Sequence, residues 1–132
     1  MAQSSRPRRK RALIVEDEIM VALGLEADLQ ELGFGTCYLA ANGRQAFLHA
    51  TSHRPEVALM DINLEGGREG IEVARRLREL CDVPVVFVTG YADPDTVKRL
   101  REQVPGAPVL PKPVYREQLA DAVSAVTTFR MW

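Results

Sequence analysis

Five short apolar runs alternate with five helical patterns along this chain, and that alternation leaves few folds open. The runs at 12–15, 35–40, 57–60, 83–88 and 109–110 are too short for core helices. They are rich in Val, Ile, Leu and Ala and mostly lack in/out alternation, so they predict strands covered on both faces. Between them, Ala22, Leu25, Leu29 and Leu32 mark one helix, with Gly33 as its stop. Asn42 with Gln45 three residues on predicts a capping box opening a second helix, to about Ser52. Ile71, Ala74, Leu77 and Leu80 mark the third. Asp93 as cap and Pro94 at the first position open the fourth, whose core face is Val97, Leu100 and Val104. The fifth runs from about Tyr115 to Thr127 and carries Leu119, Ala122, Val123 and Val126. Alternation of this kind predicts an α/β chain of βα units winding a parallel sheet.

Charge divides the 132 residues unevenly. Net charge is −1, yet residues 6–11 hold five of the 17 basic groups and leave the rest of the chain acidic. Residues 1–10 are expected to be a disordered basic arm, 11–128 one folded domain and 129–132 a short apolar tail. The arm is either a solvated tail without a specific role or a contact for nucleic acid or an acidic neighbour. No apolar run is long enough to span a bilayer and the N-terminus does not read as a secretory signal, so a cytoplasmic protein is expected. Cys37 and Cys81 have no metal-ligand spacing and read as reduced core thiols.

The polar residues that end the runs carry the chemistry. Glu16 and Asp17 follow the first run, Asp61 ends the third, Thr89 ends the fourth and Lys112 follows the fifth. Successive βα units place all of them at the C-terminal edge of the sheet, where open α/β sheets bind ligands. Singly, each has an ordinary use: a turn former, the acidic first turn of a helix, a solvated loop lysine. Together they form a purposeful set. Three converging carboxylates call for a hard divalent cation, and Mg²⁺ suits one or two carboxylates, waters and a phosphate oxygen. A carboxylate beside that ion can attack phosphorus, while a lysine and a hydroxyl bear the charge of the transferring group.

Four segments now carry a resemblance: Leu13-Ile14-Val15-Glu16-Asp17-Glu18, Leu59-Met60-Asp61-Ile62-Asn63-Leu64, Val86-Phe87-Val88-Thr89-Gly90-Tyr91 and Leu110-Pro111-Lys112-Pro113. Over about residues 11–127 the chain resembles the response-regulator receiver (CheY-like) domains of two-component systems. The resemblance implies a (βα)5 flavodoxin-like fold, a doubly wound five-stranded sheet in the order 2-1-3-4-5. It implies Asp61 as phosphoacceptor, with a sensor histidine kinase as donor. It implies that Asp17, Asp61 and the backbone carbonyl of Asn63 hold Mg²⁺, with Glu16 acting through water. Thr89 and Lys112 would grip the phosphoryl oxygens, and the Lys112–Pro113 bond would be cis. Such a protein is a signalling switch rather than an enzyme. It acts as a monomer or a phosphorylation-dependent homodimer, on a downstream protein or as a phosphate carrier or sink.

Several positions depart from the common pattern. Glu65 stands where many members have proline, and Gly66, Gly67 and Gly70 read as a longer, looser loop. Val109 replaces an aromatic switch residue common three positions before the lysine. The fourth strand resembles a subfamily ending Phe-Ala-Thr-Gly-aromatic that includes many stand-alone receivers. There Tyr91, or a rearrangement of its loop, takes over the aromatic's task, or Tyr91 packs over the pocket rim. Asn63 either orients a hydrolytic water, making the phosphoryl group labile, or only satisfies its turn. Lys98, Arg99, Arg101 and Arg116 predict a basic face on helix four, strand five and helix five, for an acidic partner or for solvent. No DNA-binding segment follows, so a stand-alone regulator is expected, the alternative being a receiver cut from a longer DNA-binding or enzymatic regulator. Phe129, Met131 and Trp132 either pack back, form a dimer contact or mark that cut. Two other classes fit less well. A Mg²⁺-dependent phosphohydrolase needs a second acid where Asn63 stands, and a nucleotide or flavin binder needs a glycine-rich loop after the first strand.

Overall fold

The computed structural model describes residues 10–64 and 69–128. The basic arm up to residue 9, Glu65 with Gly66 and Gly67, and the apolar tail 129–132 lie outside the described residues. Five strands and five helices alternate: β1 (Lys10–Val15), α1 (Ile19–Glu31), β2 (Phe34–Ala40), α2 (Gly43–His53), β3 (Val57–Asp61), α3 (Glu69–Cys81), β4 (Val85–Thr89), α4 (Pro94–Gln103), β5 (Val109–Pro111) and α5 (Arg116–Thr128). All pairings are parallel and the sheet order is β2-β1-β3-β4-β5, as expected.

Each strand feeds both faces of the sheet, because successive side chains point to opposite sides. Leu13, Val15, Met60 and Phe87 meet Ile71 and Leu77 of α3 and Leu100 of α4. Ala12, Ile14, Leu59 and Val86 meet Leu25 and Leu29 of α1 and Leu119 of α5. Every residue of β3 and β4 is buried, which is why their sequences show no alternation.

Local signals set the helix ends. Asn42 Oδ1 accepts the Gln45 amide at 2.9 Å, and Gln45 Oε1 accepts from Ala41 N at 2.7 Å. The expected box thus closes one residue earlier than its usual form. Asp93 Oδ1 accepts the Thr96 amide at 2.7 Å ahead of Pro94. Gly33 follows α1 with φ 102°, a conformation glycine adopts freely.

Five expectations change. β1 begins at Lys10 rather than Ala12, so Lys10 and Arg11 are strand residues. They register with Phe34 and Thr36, and ladder hydrogen bonds take no account of side-chain charge. β4 begins at Val85 instead of Val83, since Pro84 has no N–H for the ladder. Leu80 is 76% exposed. A step of three residues falls about 60° short of a full helical turn, so three steps from Ile71 reach the opposite side. Gly70 is no loop residue: it is buried in the first turn of α3. The free thiols Cys37 and Cys81 are only half-buried, and burial pushes Cys37 up to about 11.

Candidate functional site

The strands deliver the predicted residues to one edge. Glu16 directly follows β1, and its N–H donates to the Ala40 carbonyl at 2.8 Å, extending the sheet ladder by one bond. Its carboxylate is therefore carried inward, and the side chain is 1% exposed. Asp17 next to it is exposed. Asp61 ends β3 and is buried; its Oδ1 accepts the Asn63 N–H at 3.1 Å in a turn that closes the strand. Oxygens of Glu16, Asp17 and Asp61 all lie within 4.8 Å of one another.

Lys112 enters from β5. Its N–H donates to the Thr89 carbonyl at 2.8 Å, and the following bond to Pro113 is cis. The ammonium Nζ lies 2.8 Å from Glu16 Oε1 and 3.7 Å from Asp61 Oδ2, so Glu16 is its nearer partner. Glu16 Oε2 also accepts the Glu18 N–H at 3.1 Å. Burial pushes the Glu16 carboxyl above the usual carboxylate range, more than Lys112 and the Glu18 amide pull it back. Burial alone would lower the Lys112 ammonium, but Glu16, Asp61 and Glu18 outweigh it and hold it up. An acid raised in this way binds its proton more tightly when folded. Charged Glu16 thus costs folding free energy above its unfolded pKa, a cost relieved as pH falls through the raised value.

The donor set fits a hard divalent cation. Two buried carboxylates and one exposed one face each other with a single ammonium between two of them. An added cation would offset the repulsion and the burial cost of Glu16 together. Mg²⁺ ligands at about 2.1 Å stand at most about 4.2 Å apart across the ion. A carboxylate at the far limit of the cluster would reach it through water.

Thr89 ends β4 and is buried, but its hydroxyl is turned to its own loop. Oγ1 donates to the Tyr91 carbonyl at 2.8 Å and accepts the Tyr91 N–H at 3.2 Å. Tyr91 is 73% exposed, so it does not pack over the pocket rim. Its link to the site is the backbone bond pair with Thr89. Val109 sits on β5 at 37% exposure. Of the basic face, Lys98, Arg101 and Arg116 are exposed and Arg99 is half-buried. Arg116 Nε also lies 3.4 Å from Asp28 Oδ1 of α1.

Two features were missed from sequence. Ile19, Met20 and Leu23 stand exposed on α1 beside the acidic residues, where an apolar helix residue ordinarily signals core. Gly70 lies against the backbone of Asp61 and Ile62. A glycine in the first turn of an amphipathic helix was the available signal.

A parallel sheet of this order with acids, threonine and lysine on its C-terminal edge defines a class, and the chain belongs to it: residues 12–124 match the response regulator receiver domain family. Over 130 residues it is 32% identical to the transcriptional regulatory protein PdtaR of Mycobacterium tuberculosis, covering 98% of this chain and 62% of that protein. The chain thus spans about three fifths of that relative's length. The sporulation initiation phosphotransferase F of Bacillus subtilis is 29% identical over 115 residues, 86% of this chain and 90% of that protein. Among solved structures, the receiver domain of a modulated diguanylate cyclase from Desulfovibrio desulfuricans superposes with TM-score 0.83 at 32% identity, covering 93% of this chain and 97% of that one. Among the described residues no helix is long and apolar enough to cross a membrane.

Proposed function

We infer that this receiver accepts a phosphoryl group on Asp61 from the phosphohistidine of a sensor kinase, in a Mg²⁺-dependent reaction, and changes a protein-binding surface in response. The convergence of Asp61 with Glu16, Asp17 and Lys112 at the sheet edge carries this conclusion. Asp17, Asp61 and the carbonyl of Asn63 would hold Mg²⁺, with Glu16 acting through water; the bound ion supplies charge neutralisation at the phosphoryl oxygens. A carboxylate oxygen of Asp61 attacks phosphorus, a P–O bond forms, and the P–N bond to the donor imidazole breaks, giving an acyl phosphate. Lys112 follows the charge from carboxylate to phosphoryl oxygen, and Thr89 donates its hydroxyl to another. The exposed Ile19, Met20 and Leu23 flank the acids and offer an apolar surface for the donor protein.

Readout follows from the Thr89 bonds. Turning its hydroxyl to the phosphoryl group gives up the bonds to Tyr91, so the 90–93 loop and α4 shift without an aromatic at position 109. The face carrying Lys98, Arg99 and Arg101 would then meet an acidic partner, with phosphate shifting a pre-existing equilibrium.

Incubation with acetyl phosphate and Mg²⁺ should add one phosphoryl group by intact mass, and chelating the metal should prevent it. Steady turnover of a phosphomonoester would instead favour a hydrolase. Asn63 is exposed beside Asp61, placed to orient an attacking water. Asn63→Ala should lengthen the phosphorylated lifetime several-fold, measured as decay of the phosphorylated mass. An unchanged lifetime would assign Asn63 to the turn alone.

A further inference from the structure

We propose that Gly70 is a positioning residue for Asp61: its missing side chain lets the first turn of α3 act as the wall that sets where the phosphoacceptor stands. The inference rests on Asp61 being the acceptor. A Cβ at Gly70 would overlap the carbonyl oxygen of Asp61 and stand 2.8 Å from the Ile62 carbonyl oxygen and 2.9 Å from Ile62 Cα. All three neighbours are backbone atoms, which cannot swing aside as a side chain can. The same stretch leads into Asn63, whose N–H holds Asp61 Oδ1 at 3.1 Å. Any group added at position 70 must therefore drive α3 outward or push the 61–63 turn toward the acidic cluster. Either movement displaces the attacking carboxylate, and in-line transfer tolerates little displacement.

Gly43 supplies a matched control. A Cβ there would stand 2.8 Å from Val73 Cγ2 and 3.1 Å from Glu69 Oε1, loading the same helix through side chains only. Gly43→Ala strains the α2–α3 contact and leaves Asp61 untouched.

The test compares wild type, Gly70→Ala and Gly43→Ala. It reads the acetyl phosphate rate at saturating Mg²⁺, the Asn63 amide resonance of the metal-free protein, and the urea midpoint. Gly70→Ala should slow phosphorylation at least about tenfold in folded protein and shift the Asn63 resonance. Gly43→Ala should lower the midpoint while leaving both unchanged. If Gly70→Ala alone does not fold, the comparison moves to a Gly24→Ala background. Position 24 is an exposed site within α1 where a Cβ meets nothing within 4 Å, so alanine strengthens the helix without a new contact. Wild-type rate and resonance in Gly70→Ala, or equal slowing by both substitutions, overturns the proposal. So does failure to fold even in the stabilised background, because the glycine would then serve folding rather than site geometry. Wild type that accepts no phosphoryl group refutes the acceptor reading instead, and the Asn63 resonance still decides the role of Gly70.

Discussion

Lys112→Met should move two properties of the site in opposite directions: slower phosphoryl transfer and tighter Mg²⁺. The ammonium stands 2.8 Å from Glu16 and 3.7 Å from Asp61, inside the donor set a metal would use. It therefore competes with the ion. Screened by water, a unit charge a few ångströms from a divalent cation is worth about 1–2 kcal/mol, so removing it should tighten Mg²⁺ about tenfold. During transfer the same charge favours the reaction, because it stabilises the phosphoryl oxygens. Losing one such preorganised donor costs about a hundredfold or more in rate. Titration with Mg²⁺ at constant ionic strength, then acetyl phosphate rates at saturating metal, separates the two. Without Lys112 the Glu16 carboxyl, already pushed up by burial, should rise further. The gain in metal affinity should then shrink as pH falls and Glu16 takes up its proton. Weaker metal binding in Lys112→Met would mean that the lysine orders the carboxylates rather than competing for them.

Phe87→Ala should have the largest effect on stability. Phe87 lies in the middle of β4, in register with Met60 of β3 and Val109 of β5, and is fully buried. It belongs to the core under α3 and α4, with Leu77, Leu100 and Val104. Parallel strands on both sides and two helices above leave little freedom to collapse into the space. Truncating a phenylalanine so enclosed costs about 3–5 kcal/mol. A domain of this size holds about 5–15 kcal/mol in all. Urea unfolding should show the midpoint falling by about 2 M with the slope unchanged. A drop under about 1 kcal/mol would mean that α3 and α4 close over the cavity.

The fold was legible because the buried strands of a parallel sheet advertise themselves as continuous apolar runs. The 2-1-3-4-5 order came from the resemblance, since right-handed crossovers alone permit more than one winding. What stayed hidden had specific causes. Lys10 and Arg11 are charged but sit in a ladder, and composition hid the strand. Leu80 kept an apparent spacing that a helix of 3.6 residues per turn does not preserve. Gly70 read as slack because close backbone approach leaves no trace in the residue types around it. At the site, chain position alone brought Glu16, Asp17, Asp61 and Lys112 to one edge. It did not show that Lys112 leans first on Glu16, nor that Thr89 is held by Tyr91; those depend on rotamers and turn geometry.

Intact mass after acetyl phosphate and Mg²⁺, for wild type beside Asp61→Asn, tests the central claim most directly. Asparagine keeps the size and the bond from the Asn63 amide but removes the nucleophile. Wild type should gain the mass of one phosphoryl group and Asp61→Asn none. Equal phosphorylation of both proteins, or none of wild type, would contradict the account.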